Sequence, residues 1–237
     1  MRDDGWAPLG AAAGAIAVLL FAAGALVIGD GPGFDAPGAV VAAHLEEQRT
    51  RIQIGCAIDA AVAPFLVWFL ATVVSLTRAG GPGEQRAGAV AYGCGLIFIA
   101  LFLADVTALA VSALRPENVA AAPELAAALR DFEWLAMGMA ALPAAGVLAA
   151  FAVLVLRDKA IWPEWLGWLA ASAAGAYALR VGTLFTTEGP FAADGLLGLY
   201  VPVSAFAVWT LLASVVLALR LRADRSAAGG GRRGDRT

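Results

Sequence analysis

The sequence predicts an all-α polytopic membrane protein: six transmembrane helices in one bundle, with short extracellular amphipathic segments. Three observations predict it. Of 237 residues, 61% are hydrophobic and 15% charged, where a soluble domain carries about 25% charged residues. The apolar residues come in blocks close to the ~20 residues that cross ~30 Å of hydrocarbon. Between the blocks lie stretches rich in glycine, proline and charge. The mean hydropathy of +0.78 agrees with this class.

The first span covers about 8–28. A secretory signal peptide is the rival reading, but the apolar core is long, Asp3 and Asp4 dilute the positive start, and no small-x-small cleavage site follows. Gly10 and Gly14 form a GxxxG pair suited to close helix contact. Gly31-Pro32-Gly33 then breaks the helix, and Asp35-Ala36-Pro37 reads as a new helix start. Val40, Val41 and Leu45 give that segment an amphipathic face expected to lie on the membrane.

The second span, about 52–76, contains Asp59 and, five residues later, Pro64. A proline leaves the carbonyl four residues back, that of Ala60, without its helical donor, so a polar spot forms beside the carboxylate. The third span, about 87–114, places Asp105 and Ser112 on one face, seven residues apart. Pro123 starts a second segment running through Leu125 and Leu129 into the fourth span, about 132–156, with Glu133 and Trp134 at its mouth and Pro143 inside. The proline-started segments joining spans one to two and three to four are a weak internal echo. The fifth span, about 165–185, follows the cluster Trp162, Trp165 and Trp168, expected as an interfacial belt. It aligns Ala173, Tyr177, Arg180 and Leu184 on one face, and Gly167, Ala171 and Gly175 on a small-residue packing stripe. The sixth span covers about 197–219. Residues 1–225 thus form the transmembrane domain, and 226–237 a disordered cytoplasmic tail of Gly and Arg.

An even number of spans puts both termini on one side. With Arg180 set aside in the membrane, eleven of the sixteen basic residues lie on that side, and four (Arg49, Arg51, Arg115 and Arg130) lie on the other. The positive-inside rule therefore orients both termini to the cytoplasm. Lys159 is the sole lysine. That bias, with the alanine richness, points to a GC-rich bacterial genome and hence to a bacterial plasma (inner) membrane.

This orientation places charges in depth. At ~1.5 Å per residue, Asp59 lies roughly 12 Å, Asp105 roughly 13 Å and Arg180 roughly 9 Å from the outer surface, where Glu133 opens its span. Charges inside hydrocarbon are costly and mark function or pairing. Asp59, Asp105, Glu133 and Arg180 are therefore the candidate ligand or ion cluster, with Tyr177, Thr183, Ser112 and Tyr200 as candidate lining. Three readings of the cluster remain open: a structural clamp in which Arg180 pairs with Asp105 or Asp59, an outward cavity exchanging an ion or holding a polar ligand, or separate groups that snorkel to the surface.

Several functions are excluded. The single histidine, His44, lies outside the spans, so bis-histidine haem and a Ser-His-Asp triad find no support; a metal site of His44 and Glu47 lacks further ligands. No lysine lies in a span, so no retinal-type Schiff base forms. Phosphate-loop and dinucleotide fingerprints do not occur, and neither does the glycine-aspartate motif of intramembrane aspartyl proteases. Cys56 and Cys94 lack metal or redox spacing and lie at different depths. No catalytic residues, cofactor or metal are assigned. Nucleic-acid binding is not expected, since no basic face exists outside the tail. The expected partners are the lipid bilayer, a small polar ligand or ion, and a membrane-protein partner or second copy.

Four pieces carry a resemblance: Asp35-Ala36-Pro37, Phe65-Leu66-Val67-Trp68-Phe69-Leu70, Trp162-Pro163-Glu164-Trp165-Leu166-Gly167-Trp168, and Val208-Trp209-Thr210-Leu211-Leu212-Ala213-Ser214. In that order the chain resembles a group of uncharacterised six-span actinobacterial integral membrane proteins, similar to a bacterial domain-of-unknown-function family (the 4386-like type). Glu164 departs from the basic residue expected there. The resemblance implies the fold and topology and no activity. The leading functional expectation is non-enzymatic binding or transport of a small polar solute or ion at the outward cluster. The alternatives are a structural or accessory subunit of a membrane complex, and a membrane enzyme on a lipid-linked substrate that would need Asp59 and Asp105 to face each other.

Overall fold

A computed structural model describes residues 7–33, 36–77, 80–157, 162–186, 189–192 and 194–234. Asp3, Asp4 and Asp35, and the basic Arg2, Arg78, Lys159 and Arg236 used in the charge count, lie outside the described residues. The chain is helical, with no strand among the described residues. The α-helices are α1 (Ala7–Ile28), α2 (Gly38–Glu47), α3 (Arg49–Thr77), α4 (Pro82–Leu114), α5 (Pro116–Ala121), α6 (Pro123–Met139), α7 (Ala141–Arg157), α8 (Glu164–Arg180) and α9 (Val201–Gly234). A 3-10 turn, Val181–Leu184, follows α8, and a π-helical turn, Leu196–Tyr200, precedes α9.

Five stretches are long and apolar enough to cross a membrane: Pro8–Ile28, Arg49–Thr77, Pro82–Leu114, Ala127–Arg157 and Leu196–Ala223. The expected fifth span differs. Its α-helix has only 17 residues, about 25 Å, because the backbone tightens into the 3-10 turn directly after Arg180. The expected fourth span is broken between Met139 and Ala141. Pro143 explains the break: it has no N–H for the carbonyl of Met139, one turn earlier. Pro64 by contrast sits inside an unbroken α3. The last helix continues to Gly234, past the boundary at 226 expected from composition.

Helices α1, α3, α4, α7, α8 and α9 each pack on the next, and α9 returns to α1, so they close a ring. At one end, α2, α5 and α6 pack on one another and form a cap. Of the expected face of α2, Val41 and Leu45 are buried, with Ala42, and turn into this cap, whereas Val40 is exposed. The cap end is tied by capped carbonyls, since the last carbonyls of a helix have no partner within it. Arg49 donates to the Leu114 carbonyl (2.7 Å), Arg51 to that of Val27 (3.2 Å) and Gln53 to that of Ala113 (3.4 Å). Arg130 of α6 donates to the Pro32 carbonyl.

The opposite end is closed by small residues and aromatic rings. A side chain at Gly10 would overlap Thr72, and one at Gly14 would overlap Ser214 and Phe69, so the GxxxG pair does mark close contact. Trp209 is buried against Phe151 (ring centroids 4.7 Å) and Phe69 (6.5 Å), and its indole N–H donates to the Leu166 carbonyl (3.3 Å). The expected stripe on α8 is packed only in part: Gly167 lies against α7, whereas Gly175 faces open space. Of the tryptophan belt, Trp165 and Trp168 are exposed, but Trp162 is buried.

Candidate functional site

The cluster forms just inside the cap. Asp59 comes from α3, Asp105 from α4, Glu133 from α6 and Arg180 from the end of α8. Asp105 lies within electrostatic reach of Glu133, Arg180 and Asp59, and Arg180 within reach of Tyr177 and Asp105. Four helices thus bring together the four charged residues picked out by depth. Asp59 and Arg180 are buried, at 6% and 1% exposure, while Asp105 and Glu133 are half-buried. Asp59 Oδ1 and the Nε and Nη1 atoms of Arg180 make no hydrogen bond. A direct Arg180 clamp would use those guanidinium atoms.

Local sequence explains the seating of each group. The Asp59 carboxylate lies in a notch that exists because residue 24 on α1 is glycine; a Cβ there would overlap Oδ1. Arg180 is the last residue of α8, where a cation faces the negative end of the helix dipole. Glu133 stands one turn after Arg130, which is within its electrostatic reach. Cys56, one turn before Asp59, lies within reach of all three carboxylates and is a free, buried thiol.

Two spaces flank the cluster. On the cap side is a cleft reached by Glu133, Arg130, His44, Ser112 and Pro32. Ser112 is buried there, with its hydroxyl donating back to the Ala108 carbonyl (3.0 Å). His44, expected outside the spans, is half-buried in this cleft. On the inner side is a half-open apolar chamber within the ring, bounded among others by Phe21, Val62, Phe102, Met137, Tyr177 and Phe206. Tyr177 is buried and meets Phe98 and Phe206 edge-on.

Helical spacing links these spaces. Val62 follows Asp59 by three residues, Phe102 precedes Asp105 by three, Met137 follows Glu133 by four, and Tyr177 precedes Arg180 by three. Residues three and four apart share a helix face. On each of four helices, one turn (about 5.4 Å) therefore separates the charged cluster from the chamber wall. On α4 the stripe continues through Leu109 and Ser112 into the cleft.

The expected lining splits accordingly. Tyr177 lines the chamber and Ser112 the cleft. Tyr200 does neither: it is 59% exposed on the π-helical turn before α9. Thr183 sits half-buried on the 3-10 turn, beside Gly138 and Gly198, and does not line either space. Gly24, Cys56, Arg130 and the aromatic chamber were not singled out as site residues from sequence; the i±3 and i±4 neighbours of each charged residue were the available signal for the chamber.

No group of three or more His, Cys, Asp or Glu residues that could hold a metal ion occurs among the described residues. No family model matches the chain, and no curated protein or solved structure is found to match it. The likeness to six-span actinobacterial proteins therefore rests on its motifs alone.

Proposed function

We propose that the chain crosses a bacterial plasma membrane six times, with both termini in the cytoplasm, and binds or moves a small polar solute or ion at Asp59, Asp105, Glu133 and Arg180. The observation that carries this reading is the pair of buried, oppositely charged side chains whose Oδ1, Nε and Nη1 atoms have no hydrogen-bond partner. Buried polar groups are almost always satisfied, and a charge stranded in a low-dielectric interior is costly. Groups retained in that condition fit a ligand that supplies both a donor and an acceptor. The cap-side cleft is the route by which a polar solute reaches Glu133, and the positive-inside rule turns that side outward.

The sixth crossing is α8 with its 3-10 extension. Seventeen α-helical residues and four 3-10 residues span about 33 Å at ~1.5 and ~2.0 Å per residue, enough for hydrocarbon of ~30 Å. Its place in the closed helix ring supports this assignment.

The test uses full-length protein in lipid nanodiscs. Thermal stabilisation is screened against inorganic ions and small polar solutes, for wild type and Asp105→Asn, and hits are carried into proteoliposome flux. Stabilisation lost in the variant supports the reading. Absence of any Asp105-dependent effect, together with a large melting penalty in Arg180→Ala that is not deepened by adding Asp105→Asn, would assign the cluster to a structural clamp.

A further inference from the structure

The cap-side cleft narrows the ligand class, in an inference that rests on the binding reading above. Arg130 and Glu133 both line it. They stand three residues apart on α6, so they share a helix face, with Cβ atoms about 5–6 Å apart. The Arg130 guanidinium donates to the Pro32 carbonyl and has Glu133 within electrostatic reach, yet its buried Nε makes no hydrogen bond. Behind this pair, Asp105 lies within reach of Glu133, Arg180 and Asp59. There Nε and Nη1 of Arg180 and Oδ1 of Asp59 also lack partners. The unfilled set is therefore three donor nitrogens on two guanidiniums and one carboxylate oxygen. Much of the remaining cleft wall is aliphatic, with Val41, Leu45, Ile52 and Leu109.

That balance sorts the ligands by charge. A lone anion answers the guanidinium donors but is set beside Glu133 and Asp105. A lone cation is set beside Arg130 and leaves the donors unfilled. A neutral amide offers a donor and an acceptor, but only as dipoles, and hydrogen bonds between ionised groups are about twice as strong. We infer that the cleft takes a compact zwitterion of the α-amino-acid class, its carboxylate on Arg130 and its ammonium on Glu133. The short spacing of Arg130 and Glu133 calls for opposite ligand charges on one carbon atom and its substituent. The aliphatic wall suits a small apolar side chain.

Calorimetric titration of the intact protein in phosphatidylcholine nanodiscs tests this with four probes of similar shape. L-alanine is the zwitterion, isobutyrate the anion, isopropylammonium the cation and lactamide the neutral molecule. L-alanine is expected to bind about tenfold or more tighter than each of the others. Glu133→Gln is expected to weaken alanine by about tenfold and to strengthen isobutyrate. Arg130→Gln is expected to weaken alanine and to strengthen isopropylammonium. A purely structural role for the pair would lower melting and leave the order of the four probes unchanged. That result overturns the inference, as does alanine binding no tighter than any one of the other three. The wild-type comparison decides by itself where a variant does not fold. If alanine fails while an inorganic ion or another polar solute binds in an Asp105-dependent way, the zwitterion assignment falls and the polar-site reading stands. If nothing binds in that way, both fall.

Discussion

The two ends of the helix ring contrast sharply. At the end away from the cap, Gly10 and Gly14 bring α1 against Thr72, Phe69 and Ser214, and Trp209 packs against Phe69 and Phe151 and donates its indole N–H to the Leu166 carbonyl. Contacts are close there. At the cap end the ring encloses a half-open chamber, a charged cluster and a cleft. Helix association in lipid draws on packing and interhelical hydrogen bonds rather than on water exclusion, so the close-packed end is where the ring is held. Both ends hold buried polar atoms without a hydrogen-bond partner, but at the packed end Ser214 offers a neutral hydroxyl, whereas at the cap end Asp59 and Arg180 offer charged groups, the difference on which the proposed function rests.

This contrast can be broken by substitution, and the largest effect belongs to the packed end. Trp209→Ala is expected to cost roughly 3–5 kcal/mol, as large aromatic truncations in cores do, read as a marked fall in melting temperature in detergent. The glycine pair comes next. Gly14→Ala and Gly24→Ala each force an overlap, at a cost of about 1–3 kcal/mol. Gly14→Ala is expected to lower melting and leave ligand affinity intact. Gly24→Ala displaces the Asp59 carboxylate and should lower affinity as well; equal affinity in both variants would detach the notch from the site.

Asp59→Asn sharpens the same comparison. Since Oδ1 makes no hydrogen bond, losing the charge is expected to leave melting unchanged or raise it by about 1 kcal/mol, while ligand-dependent stabilisation disappears. A loss of about 3–5 kcal/mol, the scale for breaking a buried pair, would make the open end a joint after all. The smallest effect is expected at Gly175, where a side chain meets nothing within 4 Å. Gly175→Ala should stabilise by about 0.5–1 kcal/mol through helix propensity alone, seen as a small rise in melting temperature with unchanged binding.

Residue by residue, the site was only partly legible. A carboxylate or guanidinium in an apolar run stands out, so Asp59, Asp105, Glu133 and Arg180 were identified, and counting residues to each loop placed them at similar depth. Their companions did not stand out. Gly24 is one alanine-sized gap among many, and Phe102 looks like any apolar wall residue until its helix is packed; Tyr177, expected as lining, does line the chamber. Tyr200, expected as lining, is exposed on the π-helical turn, and of the expected face of α2 Val41 and Leu45 are buried where α2 packs with α5 and α6 while Val40 stays exposed.

By itself, the sequence determined the class: helices of apolar residues long enough to cross a membrane, their breaks at Gly and Pro, and the few charged residues set within them. These are local properties of length and composition. The tertiary structure alone decided the ring order, the cap, the notch at Gly24 and the chamber beneath the carboxylates. The physical reason is that lipid and protein interior are both apolar. A spanning helix can carry hydrophobic side chains all round, its periodicity does not mark the inward face, and only packing against its neighbours does.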